Sequence, residues 1–120
     1  MITDLRYLQQ MTGNDSATIK ELIDVFLNQL TDMRADIAYL VDCRNWDEVS
    51  RLADKIKSSA LIMGVEQMAG EMKELELLAI EGNNTEKYPE YVVRLNELID
   101  VINVELEQYL IDKQIDIIKV

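Results

Sequence analysis

At 120 residues, 48% of them hydrophobic, the chain suits one domain with a sizeable core, and its single Pro and four Gly are too few for a many-turned β sandwich or barrel, so long helices are expected. It has no His, which removes His-based acid/base catalysis, Ser-His or Cys-His nucleophile pairs and His-ligated metals, and its lone Cys43 allows neither an internal disulfide nor a Cys-rich zinc site. Twenty-three Asp+Glu against 12 Lys+Arg leave a formal net charge of −11, a field that opposes nucleic acid and anionic membrane surfaces.

The N-terminus, Met1-Ile2-Thr3-Asp4-Leu5-Arg6, lacks the basic and then apolar regions of a signal peptide. No apolar run approaches the ~20 residues of a membrane span, so a cytoplasmic protein is expected. Ile2, Leu5, Leu8 and Met11 have helical spacing and stop at Thr12-Gly13-Asn14. This predicts a short first helix, Gly13 ending it and Asn14 or Asp15 capping the next. Ile19, Leu22, Ile23, Phe26, Leu30, Met33, Ile37 and Leu40 then trace one stripe on a long second helix from about residue 15 to about 43. Cys43, at its end, reads as a small apolar filler.

Asn45 with Glu48 three residues on has the spacing of a capping box, and Asp47 and Glu48 suit the positive end of a helix dipole. The third helix buries Val49, Leu52, Ala53, Ile56, Ala60 and Met63 and ends at Gly64. A fourth, from about 66 to about 81, carries Met68, Met72, Leu75 and Leu78 inward and ends at Gly82. Pro89 is tolerated only in a first turn, so the fifth helix begins near 85–88. It carries Val92, Leu95, Leu98, Ile99, Ile102, Leu106 and Leu110 inward. Residues 111–120, with the apolar run from Ile115 to Val120, read as an extension of that helix or as a tail. The expected fold is all-α: an antiparallel up-down four-helix bundle preceded by a short N-terminal helix, one domain over residues 1–120.

Several constellations invite chemistry. A bundle rich in carboxylates suggests a di-metal centre, but the usual design needs Glu-x-x-His pairs, so no metal is expected. Glu71, Glu74, Glu76 and Glu81 read instead as the solvated face of the fourth helix. Met33, Met63, Met68 and Met72 fall on core stripes and read as packing rather than a peptide groove. The third helix is the informative one, because Asp47, Ser50, Arg51, Asp54, Lys57, Ser58 and Leu61 share its outward face. Arg44, Arg51, Lys55 and Lys57 gather four of the twelve bases within fourteen positions, a candidate site for phosphate or an acidic partner. The plainer alternative is an ordinary solvated face with i,i+3 ion pairs, Arg51–Asp54 and Asp54–Lys57. Leu61, a large apolar residue at the centre of that face, suggests a docking surface.

In order and spacing the chain resembles the histidine-containing phosphotransfer (HPt) domain family over roughly residues 5–110. The matching stretches are Gly13-Asn14-Asp15, Val25-Phe26-Leu27, Arg44-Asn45-Trp46-Asp47, the run Ala53-Asp54-Lys55-Ile56-Lys57-Ser58-Ser59-Ala60-Leu61-Ile62-Met63-Gly64, and Leu75-Glu76. In the family's signature, Ala-His-x-Leu-Lys-Gly-Ser-x-x-x-x-Gly, an exposed His accepts a phosphoryl group from one receiver aspartate and passes it to another. The His position falls here on Asp54, Lys57 matches the Lys beside the phosphohistidine, and Ser58 replaces a Gly that lets the receiver approach. Leu61 and Ile62 are bulkier and more apolar than the family usually has there.

The resemblance implies a module of two-component phosphorelay signalling that binds a receiver domain or hybrid sensor kinase without carrying phosphate, with no enzyme activity and no cofactor. Arg51, Asp54, Lys55, Lys57, Ser58, Leu61 and Ile62 are its expected partner-binding residues, on a monomer that takes neither nucleic acid nor membrane. Asp54 would then stand as a fixed anion, an imperfect mimic of phosphohistidine. A genuine phosphocarrier, as an Asp variant of an active His protein or through acyl-phosphate chemistry at Asp54, is the alternative. Another is an engineered replacement of an original His, and a helical adaptor outside phosphorelay signalling is a third. Transfer through Asp54 itself is disfavoured, because aspartyl phosphate forms where further carboxylates hold Mg²⁺ and a Lys cradles the phosphoryl oxygens.

Overall fold

The computed structural model describes the backbone of residues 1–119 and the side chains of residues 1–113. The short helix α1 spans Arg6–Met11, and Asp15 starts α2 (Ser16–Asp42) by accepting a hydrogen bond from the Thr18 amide. Asn45 does the same for α3 (Trp46–Ile62), accepting from the Glu48 amide at 3.4 Å. Only half of the expected capping box forms, because the Glu48 carboxylate turns to Arg51 and the Asn45 amide donates to the Leu40 carbonyl. Helix α4 (Glu66–Glu81) ends on the left-handed Gly82, and a 3₁₀ turn, Thr85–Lys87, leads into α5 (Tyr88–Lys119) with Pro89 in its first turn. Of the alternatives for Ile115 to Val120, the helical backbone runs on to Lys119, and the side chains from Gln114 onward lie outside the described residues.

Short connections make successive long helices antiparallel. Helix α2 packs on α3, α3 on α4, α4 on α5 and α5 back on α2, closing a four-helix bundle with α3 and α5 on opposite corners. Its single core is filled by the predicted stripes: Ile23, Leu30 and Ile37 from α2, Val49, Ala53, Ile56 and Ala60 from α3, Met68, Met72 and Leu75 from α4, and Leu95, Ile99, Ile102 and Leu106 from α5. Each large aliphatic side chain so buried contributes roughly 2 kcal/mol. Leu22, Leu40, Leu52, Leu78, Val92 and Leu110 sit at stripe edges and are half-buried, and Met11 is exposed. Among the described residues no helix is long and apolar enough to cross a membrane.

Two expectations are corrected. Cys43 is exposed rather than a filler, because the inward stripe of α2 ends at Val41 and the C-cap residue faces solvent. Of the four α4 acids read as a solvated face, Glu74 and Glu81 are exposed, but Glu71 and Glu76 are largely covered, and all but Glu81 pair across helices. Glu71 pairs with Arg94 at 3.0 Å, Glu74 accepts from the Tyr91 hydroxyl at 3.0 Å, and Glu76 meets Lys57 on α3. These flanks of α4 lie against α5 and α3, so their carboxylates are drawn into interhelical pairs.

Two ties outside the apolar pattern fix the ends of the bundle. Tyr88 is fully buried, stacks edge-on against Trp46 with ring centroids 4.9 Å apart, and sets its hydroxyl 2.8 Å from the Leu78 carbonyl and 2.6 Å from that of Asn83. It thereby joins the start of α5 to the end of α4 and the start of α3. At the other end, Glu105 on α5 accepts from the Ile2 and Thr3 amides and the Thr3 hydroxyl at 2.8–3.0 Å. The strap it holds continues to Asp4, whose amide donates to the Met63 carbonyl. Asp4 lies so close to Gly64, which sits at φ +67°, that a Cβ there would overlap the Asp4 carbonyl.

Replacing Tyr88 with Phe removes the single hydroxyl proton shared between those two carbonyls and is expected to cost about 1–2 kcal/mol in urea denaturation. Burial pushes the Glu105 carboxyl up, but the hydrogen bonds from Ile2 and Thr3 outweigh it and hold the group below its ordinary value of 4.5. A depressed folded value means that this stabilisation is complete above the unfolded value and is lost as pH falls through the folded one. Glu105→Gln is therefore expected to be destabilising by about 1.5–3 kcal/mol at neutral pH, with the gap from the parent closing in titrations carried below the Glu105 folded value.

Candidate functional site

Helix α3 is amphipathic, and its buried side turns against α2 and α4. That fixes Asp47, Asp54, Ser58 and Leu61 along the centre of its solvent face. The candidate residues stay together but divide by direction. Lys57 leans toward α4, whereas Arg51, Lys55 and Ile62 lean toward α2. Lys55 and Arg51 line a shallow groove with Asp36, Tyr39 and Leu40, and Ile62 lines another with Met11, Leu22 and Val25. Leu61 stands free, 54% exposed.

Asp54 and Lys57 form the electrostatic centre. The Lys57 ammonium is 2.8 Å from the Asp54 carboxylate and 3.4 Å from that of Glu76 on α4. Lys57 and Glu76 are mostly covered, with 24% and 19% of their side chains exposed, while half of Asp54 faces solvent. The hydrogen bond from Lys57, and then its charge, hold the Asp54 carboxyl below the usual carboxylate range. The bond to Asp54 raises Lys57 against the opposing effect of burial, with Glu76 adding to the rise. Asp54 is thus a fixed anion at neutral pH, with the ammonium already shared between two carboxylates.

Of the two i,i+3 pairs named for a plain solvated face, Asp54–Lys57 forms and Arg51–Asp54 does not, because Arg51 turns back one turn to Glu48 at 2.8 Å. The basic cluster is correspondingly weaker as an anion site than its count suggested, since Lys57 and Arg51 both spend their charge on local acids. The Ser58 hydroxyl donates to the Asp54 carbonyl one turn back and so stays against the helix. Among the described residues no group of three or more Asp, Glu or Cys side chains is placed to hold a metal ion. Glu76 is the functional neighbour that the apolar pattern missed. Lys57 lies seven residues before Gly64 and Glu76 twelve after it, an offset of about 7.5 Å along the hairpin that the two side chains span because each leans toward its own helix N-terminus, Lys57 away from the turn and Glu76 toward it.

The Hpt domain family model matches residues 21–111, which takes in most of α2, all of α3 and α4, and most of α5. The crystal structure of histidine-containing phosphotransfer protein B (HptB) from Pseudomonas aeruginosa PAO1 superposes with a TM-score of 0.83, covering 90% of this chain and 93% of that one at 18% identity. No curated protein matches the chain in sequence. The helical bundle, the order of its motifs and a family match that spans α3 and α4 entirely and most of α2 and α5 lead to one assignment: the chain belongs to the Hpt domain family, the helical modules of phosphorelay signalling.

Proposed function

We propose that the chain acts as a single domain that docks a response-regulator receiver, or the receiver-bearing part of a hybrid sensor kinase, without accepting phosphate. The observation that carries this reading is Asp54. It occupies the position that the signature gives to the phosphorylatable His, exposed on α3 and clasped by Lys57 at 2.8 Å. The scaffold that presents the phosphosite is kept, and the imidazole that would take the phosphoryl group is replaced by a carboxylate. Attack by that carboxylate on a receiver acyl phosphate would bring anion against anion, with Lys57 already engaged by Glu76.

Docking has support of its own. Leu61 offers a large apolar contact beside Asp54, and Ile62 extends it into the groove shared with Leu22 and Val25 on α2. Arg51 and Lys55 border the same side and suit the acidic pocket of a receiver. Such a module competes with active phosphotransfer proteins for a receiver, or holds a receiver without discharging it.

Two outcomes test the reading. Incubation with a phosphorylated receiver is expected to leave the intact mass of the chain unchanged, and an adduct bearing one phosphoryl group would overturn the assignment. In titration calorimetry against a cognate receiver, Leu61→Ala is expected to weaken binding about tenfold, and Leu61→Asp to abolish it with the circular dichroism of the parent retained. Equal binding by Leu61→Asp would move the docking face elsewhere.

A further inference from the structure

The outer side of α5 carries a row of exposed branched apolar residues. Val93, Val101, Val104 and Ile111 are 56%, 44%, 69% and 50% exposed. Val101, Val104 and Ile111 follow the three- and four-residue steps of a coiled-coil seam, with Gln108 at the intervening position. The same steps continue in the sequence to Ile115 and Ile118. None of these valines serves the core, which is filled from the opposite side of the helix by Leu95, Ile99, Ile102 and Leu106. β-Branched residues at exposed helical positions are poorer helix formers than the Ala, Glu or Lys that suit a solvated face.

Between Arg94 and Lys113 the charge beside the seam has one sign. From Leu95 to Asp112 the sequence contains five acids, Glu97, Asp100, Glu105, Glu107 and Asp112, and no Lys or Arg. Glu105 is occupied by the N-terminal strap and Asp100 by Arg34 at 3.1 Å. Glu97, Glu107 and Asp112 are exposed. Arg94, just before this stretch, is held by Glu71 and lies over the Tyr91 ring.

We propose that this face docks an amphipathic helix of a partner protein, one with branched apolar residues at three- and four-residue spacing flanked by Lys and Arg. Two copies of the seam would set Glu97, Glu107 and Asp112 of one chain near the same acids of the other, so self-association through it is opposed. Anionic lipid is opposed for the same reason. A basic helix satisfies the apolar seam and its acidic border together. Because α3 and α5 occupy opposite corners of the bundle, with α2 and α4 between them, this face points away from Asp54. One domain can therefore hold a receiver on one side and a second protein on the other.

The test uses the full chain and a fluorescent synthetic helix of roughly 21 residues, with Leu at the seam spacing and Lys beside it, against a scrambled peptide of equal composition. The ordered peptide is expected to bind at least about tenfold more tightly than the scrambled one, and more weakly as salt rises. Val101→Ala with Val104→Ala keeps a good helix former at both places and is expected to weaken binding at least about fivefold. Glu97→Lys with Glu107→Lys is expected to weaken it about tenfold or more, and Leu61→Asp to leave it within about twofold of the parent. Equal binding of the two peptides, or parental binding by the double Ala variant, would overturn the proposal. So would dimerisation of the chain in sedimentation velocity that the double Ala variant abolishes, or co-flotation with phosphatidylcholine vesicles. Loss of peptide binding in Leu61→Asp would place the peptide on the α3 face instead and equally defeat it. Failure of the receiver titrations leaves these outcomes untouched.

Discussion

The site depends on how closely α3 lies against α4. These two helices make the most extensive contact in the bundle, and much of the facing surface is small: Ala53 and Ala60 from α3, Ala69 and Ala79 from α4. Small side chains let the backbones approach, and the tight turn through Gly64 sets the register. Both consequences meet at Lys57, whose ammonium spans the gap to Glu76 while reaching one turn back to Asp54. A bulkier residue at Ala53 or Ala60 would push the helices apart, and Lys57 would lose one of its two carboxylates.

That arrangement changes the chemistry available to an Hpt scaffold. A neutral side chain at position 54 would leave Lys57 with its positive charge only partly offset by Glu76, ready for an incoming anion. With Asp54 present the charge is spent before any partner arrives, and the surface around the signature position is neutral to acidic. In the docking proposed above, recognition rests more on Leu61, Ile62 and the groove toward α2 than on the basic residues themselves. The basic residues that remain on this side, Arg51 and Lys55, lie at its border, where charge alters encounter rates and orientation more than affinity.

The ends of the bundle are secured differently from its middle. Apolar stripes supply most of the burial, but stripes alone allow helices to slide or fray. Tyr88 and Trp46 clamp one end through an aromatic contact and two carbonyls, and Glu105 gathers the N-terminal strap at the other. The strap in turn covers Gly64, so the turn that positions the functional helix is held by residues that precede the family match at residue 21. Among the described residues the valine seam of α5 has no such partner, which is why it reads as a surface for another helix.

Although the apolar start at Ile2, read as part of the first helix, is drawn off by Glu105 as a strap and α1 begins only at Arg6, the sequence by itself determined the long helices, their inward faces and their boundaries. Each depends on local physics: apolar spacing at 3.6 residues, capping side chains such as Asp15 and Asn45, and left-handed Gly at Gly64 and Gly82. It also determined that Asp54, Ser58 and Leu61 share one face, because a helix ties side-chain direction to residue number. Tertiary structure alone decided the partners of charged and aromatic side chains. Lys57 found Glu76 on α4, Glu71 and Glu74 turned to α5, and Tyr88, absent from the aliphatic stripe, became one of the most deeply buried residues. A long polar side chain can reach several partners of similar local merit, and the choice among them is made by which neighbouring helix the packing brings within about 3 Å.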